Sequence, residues 1–194
     1  MIIQVSEAVI EGSLRADTWI EVAQGKIVSV NAGKHSSPDK LCNGILIPGF
    51  IDIHCHGGAD SYFSNASKIS DVIKLHKEHG TTGIVASLVT ASIEDLKSQI
   101  SALVPFYEAG EILGIHLEGP YLSHARCGAH EPSLLINPDI TDLKELLEVC
   151  AGAIAMITIA PELPGAIEAI KFLSAAGVKV AIGHTNGDFK DAAA

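Results

Sequence analysis

From residue 44 onward, the chain alternates unbroken runs of Val, Ile, Leu and Ala with stretches whose apolar residues recur at helical spacing. Apolar runs over 45–56, 82–90, 112–118, 153–160 and 178–184 mostly lack polar alternation. That is the pattern of parallel strands covered on both faces. Ile69, Val72, Ile73 and His76 mark a helix that ends before Gly80, a suitable C-terminal cap. Ser92 is placed to cap a second helix, with Ile93, Leu96, Ile100 and Leu103 as its buried face. Leu143, Leu146, Leu147 and Cys150 mark a third helix and residues 166–176 a fourth. Strand–helix alternation of this kind folds as a doubly wound sheet or as a (β/α)8 barrel. Five strands are counted where a barrel needs eight, and no glycine-rich dinucleotide fingerprint follows any of them.

Residues 1–43 read differently. Ile20-Glu21-Val22 and Lys26 to Val30 flank Ala23-Gln24-Gly25 as a β-hairpin, and a polar stretch from His35 to Lys40 leads into the first long apolar run. The expected division is a small β-rich segment over 1–43 and strand–helix units over 44–194. Tyr121 to Pro138 is too long and polar for a routine connection, and loops of that length are often functional.

The net charge of −10 argues against a nucleic-acid partner, though a few local donors would suffice for a phosphorylated substrate. No apolar run approaches the ~18 residues of a membrane span. The first residues lack the charged and apolar regions of a signal peptide, so a cytoplasmic, membrane-free setting is expected. The four cysteines show no CxxC spacing and read as free thiols.

The chemistry concentrates at strand ends. His54 and His56 close the first apolar run two residues apart, so a strand presents both imidazoles to one side. Cys55, between them, faces away and reads as packing. Glu118 ends the third run before Gly119-Pro120, and His184 ends the fifth. Strand C-termini in barrel folds converge on one rim, and imidazole with carboxylate is a donor set for a zinc-like divalent ion. His116 shares a strand face with Glu118 and reads either as support for the site or as a packed polar group. His76 and His79 fall near a helix C-terminus, where a surface histidine is the expected state. Asp188 and Asp191 sit at a helix start and read as solvated charges, and Glu162 reads equally as a loop-fixing residue.

With these residues in view, the chain resembles the amidohydrolase superfamily, and within it the deacetylases of N-acetylglucosamine 6-phosphate. Pro48 to Gly57, His116 to Leu122, Ile159 to Glu162 and Gly183 to Asn186 carry the likeness, with Gly128-Ala129-His130 between them. The resemblance implies a (β/α)8 TIM-type barrel of the amidohydrolase kind with a small β-sandwich domain. It implies hydrolysis of the acetamide of an amino-sugar phosphate, giving glucosamine 6-phosphate and acetate. It implies one or two divalent ions, zinc above all, with Glu118 and His184 as ligands and His54 and His56 holding a second ion that Glu118 bridges. Ala129 and His130 match the family's sugar-binding positions, and the family implies a homodimer for a complete chain. A further metal-binding histidine and the general-base aspartate are expected beyond Ala194.

Other readings compete. Dihydroorotase and hydantoinase relatives use a carboxylated lysine at the end of strand four, where this chain has Thr158-Ile159-Ala160-Pro161-Glu162. A deaminase would be distinguished by residues beyond Ala194. A truncated, catalytically incompetent fragment that retains metal or sugar binding is the reading from a different class. It would have unpaired edges on its first and fifth strands.

Overall fold

The computed structural model describes residues 1–58 and 60–193. The chain divides into two compact units, Met1–Gly49 and Phe50–Ala194. In the first, β1 (Ile2–Ile10), β2 (Ser13–Ala23), β3 (Lys26–Ala32) and β4 (Lys40–Leu46) form one sheet in the order β3-β2-β1-β4. The pairs β1–β2 and β2–β3 are antiparallel, and β4 returns parallel to β1. Gln24 and Gly25 both take positive φ, the backbone that joins β2 to β3 in a tight hairpin. Val5, Ala8 and Ile20 are buried, and the buried Gln4 donates to the Thr18 carbonyl and accepts from the His35 N–H at 2.8 Å.

The long apolar run 45–56 is not one strand. It is divided at Ile47-Pro48-Gly49: β4 joins the first sheet, and β5 (Phe50–Cys55) starts the second. Proline offers no N–H to a ladder and confines the residue before it, so a continuous strand cannot pass through Pro48 without losing pairing.

The second unit contains β5, the two-residue strands β6 (Gly57–Gly58) and β7 (Ser61–Tyr62), α1 (Ile69–Glu78), β8 (Thr81–Val89), α2 (Ile93–Glu108), β9 (Gly114–Glu118), α3 (Ile140–Val149), β10 (Ile154–Ile159), α4 (Ala166–Ala175), β11 (Lys179–Ile182) and α5 (Phe189–Ala193). Five strands pair in the order β11-β10-β9-β8-β5, all parallel, which is a half-barrel sheet. The helical faces expected from spacing are the buried ones: Ile69, Val72 and Ile73 on α1, Leu96, Ile100 and Leu103 on α2, Leu143 and Leu146 on α3. They join Ile84, Leu88, Ile115, Leu117 and Ile157 in one core, where each fully buried aliphatic side chain contributes roughly 1.5–3 kcal/mol. Ser92 caps α2 by accepting from the Asp95 N–H at 3.1 Å, and Asp139 caps α3 by accepting from the Thr141 N–H at 2.6 Å. Among the described residues, no helix is long and apolar enough to cross a membrane.

Candidate metal centre

Glu118 is the hub of the site. It ends β9 with its side chain 13% exposed, and the ends of neighbouring segments deliver imidazoles to its carboxylate. His56 Nε2 lies 2.8 Å from Oε2 and His54 Nε2 3.6 Å from the same oxygen. His184 Nε2 is 3.2 Å from Oε1, and His130 Nε2 is 3.7 Å from Oε2. The strand-end residues expected to converge do converge, and His130 arrives with them from the long loop after β9.

Local structure explains each placement. His54 and His56 leave the end of β5 on one side, with ring centroids 4.9 Å apart and their Nε2 atoms 3.0 Å apart. His184 has φ of +49°, a left-handed backbone that a histidine adopts only where its surroundings hold it. Its carbonyl accepts from the Ser123 N–H at 3.0 Å, and its Nδ1 donates to the Arg126 carbonyl at 2.8 Å. Glu162 holds the next two residues, accepting from the Thr185 hydroxyl at 2.5 Å and the Asn186 N–H at 2.7 Å. Burial pushes the Glu162 carboxyl up, but these bonds outweigh it and hold it below the ordinary range. Of the two readings of Glu162, the loop-fixing one describes its contacts. Gly119 needs its missing side chain: φ is +90°, and a Cβ would collide with the Thr90 hydroxyl.

The hydrogen bonds on the far side of each ring sort the imidazoles by role. His56 Nδ1 faces the Ser87 carbonyl at 3.2 Å, and His184 Nδ1 faces a carbonyl too. A carbonyl only accepts, so the proton of each neutral ring sits on Nδ1 and Nε2 presents a lone pair. His130 is the reverse, because its Nδ1 accepts from the Thr90 N–H at 3.3 Å. Its Nε2 therefore carries the proton and points a donor into the site. Burial lowers the His130 pKa despite the nearby carboxylate, which keeps that donor neutral.

In the metal-free chain the 2.8 Å contact is a hydrogen bond from a protonated His56, whose Nε2–H faces the carboxylate where an ion would take its place. With His54 and His130 adding to it, the contact holds the Glu118 pKa down at about 2 against the effect of burial and raises His56. His116 lies beneath, wholly buried, with Nδ1 3.0 Å from the Ser87 hydroxyl and Nε2 2.8 Å from the Thr158 hydroxyl. Its ring packs against His54 at 4.9 Å, and desolvation lowers its pKa to about 4. His116 thus does both things its position suggested, packing as a polar group and backing a site histidine. The side chains gather into two sets, His54–His56–Glu118 and Glu118–His130–His184, with Glu118 common to both. In the second, Glu118 and His184 are the ligating pair, because His130 presents an N–H. Two Nε2 atoms facing each other at 3.0 Å beside a carboxylate suit a divalent cation placed between them. A cleft of about 680 Å³ opens above, with Ala129, His130, Tyr62 and Thr90 in its wall.

Two histidine expectations part here. His79 is exposed, its Nδ1 on the Leu75 carbonyl, as expected. His76 is not a free surface histidine: it is partly buried, with Nε2 3.0 Å from the Gly57 carbonyl and 3.1 Å from Cys55 Sγ. Helical spacing shows which face a residue takes but not which loop folds over that face. Asp188 and Asp191 cap α5, each accepting a backbone N–H of the other's turn.

No family model matches the chain. Known proteins and solved structures do. An N-acetylglucosamine-6-phosphate deacetylase of Danio rerio is 35% identical over 191 residues, covering 84% of this chain and 46% of that protein. One of Lysinibacillus sphaericus is 32% identical over 185 residues, covering 90% and 47%. A variant of the N-acetyl-D-glucosamine-6-phosphate deacetylase of Mycobacterium smegmatis, solved with N-acetyl-D-glucosamine-6-phosphate, superposes with a TM-score of 0.93. It is 41% identical, and the match covers 98% of this chain and 51% of that one. By sequence and by fold, the chain is a relative of the N-acetylglucosamine-6-phosphate deacetylases. It spans about half the length of the curated relatives it matches.

Proposed function

We propose that the protein hydrolyses the acetamide of N-acetylglucosamine 6-phosphate, giving glucosamine 6-phosphate and acetate, and that this chain supplies the shared carboxylate and three histidine ligands of its metal centre. One observation carries the reading: Glu118 lies between Nε2 of His56 and Nε2 of His184, and both rings are turned by backbone carbonyls to present lone pairs. A bound divalent ion, zinc by donor type, would lower the pKa of its water toward neutrality and polarise the amide carbonyl. His184 with Glu118 would hold that ion, and His54 and His56 would hold a second through Nε2, with Glu118 serving both positions. His130 would donate from Nε2 to the substrate, beside the Ala129 backbone in the cleft wall. The solved relative with this substrate supports the ligand class. A cytoplasmic setting, read from the character of the first residues, and a homodimer, implied by the resemblance, are part of the same reading.

The test is metal content and turnover together. Glu118→Gln should lower metal stoichiometry at both positions, because one carboxylate serves both, and acetate release from N-acetylglucosamine 6-phosphate should fall by at least 10²-fold in the complete enzyme. Unchanged stoichiometry would remove Glu118 from the centre. A complete enzyme that binds metal but leaves this substrate intact would refute the activity.

A further inference from the structure

The polar cluster on the opposite side of β5 belongs to no part of the site above. Cys55 Sγ lies 3.1 Å from His76 Nε2, and the Gly57 carbonyl oxygen stands 3.2 Å from the sulfur and 3.0 Å from the nitrogen. A carboxylate oxygen of Asp52 completes the group, and the ligand atoms of Asp52, Cys55 and His76 all lie within 4.8 Å of one another. On a regular strand, residues 52 and 55 face opposite ways. Here the register of β5 against β8 shifts between Asp52 and Cys55, and the irregularity turns both to one side. Oδ1 of Asp52 accepts the His54 N–H at 3.1 Å, and Oδ2 accepts no hydrogen bond among the described residues. In the metal-free chain the Gly57 carbonyl accepts from the Cys55 thiol and from His76 Nε2–H, so a bound ion displaces the thiol proton and moves the imidazole to its Nδ1–H tautomer. Thiolate, imidazole, carboxylate and carbonyl are then four donors, the number a tetrahedral ion takes. With Zn–S near 2.3 Å and Zn–N near 2.0 Å, ligand S and N stand about 3.5 Å apart, so the pair at 3.1 Å needs to open by only a few tenths.

We infer that Asp52, Cys55 and His76, with the Gly57 carbonyl, form a second metal site, separate from the Glu118 centre, that takes a thiophilic divalent ion such as zinc. The sulfur selects against magnesium and calcium, which prefer all-oxygen shells. Binding would displace the thiol proton to solvent and tie α1 to the end of β5 that carries His54 and His56. The site does not depend on the proposed deacetylation.

Cobalt(II) reports thiolate ligation directly, through a sulfur-to-metal charge-transfer band that histidine and carboxylate ligands do not give. Titrating the metal-free, reduced 194-residue chain with cobalt(II) should develop that band to one equivalent. The band should vanish in Cys55→Ser, and His76→Gln should bind at least tenfold more weakly. The Glu118→Gln chain should keep the band, since the other centre contributes no sulfur. No band in the unaltered chain, or an undiminished band in Cys55→Ser, would overturn the inference. Should Cys55→Ser lose its fold by circular dichroism, His76→Gln decides: weakened cobalt binding supports the site, and an unchanged titration refutes it.

Discussion

The proton positions on three rings carry the chemical reading at the residue scale. His56 and His184 are turned to ligate, whereas His130, 6% exposed at its side chain, is turned to donate. Replacing His130 with Ala should therefore weaken binding of N-acetylglucosamine 6-phosphate by tenfold or more in the complete enzyme, with metal stoichiometry unchanged. Calorimetry paired with metal analysis separates the two effects, and a loss of metal would show that His130 is a ligand after all. His116 makes a prediction of opposite character. Its folded pKa near 4 lies below the ordinary 6.5, so the unfolded chain binds its proton first as pH falls. Stability of the metal-free chain should then drop between pH 6.5 and 4, by on the order of 3 kcal/mol from this residue. Glu118, depressed to about 2, loses its contribution only below its ordinary range. The stability from raised His56 is fully present below 6.5 and is lost only above it. His130, lowered by burial, adds to the fall in the same window as His116. Urea midpoints across that window should flatten in His116→Gln; an unchanged slope would assign the effect elsewhere.

At the scale of elements, the segment after β11 is the least regular and the most constrained. His184 is held by Ser123, Arg126 and, through the next two residues, Glu162 on the segment following β10. Glu162→Ala frees Thr185 and Asn186 together, leaving only the Ser123 and Arg126 contacts to hold His184 at its left-handed φ. Metal affinity should fall about 10–100-fold, the range for lost outer partners of a ligand. Glu162→Gln retains an acceptor for the Asn186 N–H and should recover part of the loss. Equal affinities for all three chains would mean the loop holds itself. The legibility of this region was uneven. Helix faces and caps such as Ser92 follow from spacing, because burial and capping are local rules. The clamp on His184 joins residues 22 or more positions apart, and no spacing rule reaches that far.

For the second unit as a whole, the sheet has two outer strands, β5 and β11. Along β5, Phe50, Ile51 and Ile53 are 56%, 66% and 64% exposed, and Ile182 of β11 is 48% exposed. Unpaired backbone flanked by large apolar side chains is a template for association. The 194-residue chain should therefore self-associate with rising concentration. Ile53→Lys should shift it toward monomer in sedimentation velocity, because a buried lysine at a paired edge is costly. A monomer at all concentrations for the unaltered chain would count against this.

Much of the molecule was determined by the order of residues alone. Parallel strands read from unbroken apolar runs, helices from their spacing, and the strand-end residues His54, His56, Glu118 and His184 met where strand C-termini meet, because a parallel sheet leaves them no other side. Tertiary structure decided the rest. Pro48 set where one sheet yields to the next, through a missing donor whose consequence depends on which strand lies alongside. The Ser87, Arg126 and Thr90 backbone groups decided which nitrogen each imidazole offers, and a shifted register brought Asp52 and His76 beside Cys55, which packs in the core as its position suggested. Each of these depends on a partner distant in sequence, and a hydrogen bond or a bulge exists only once the fold has brought that partner near.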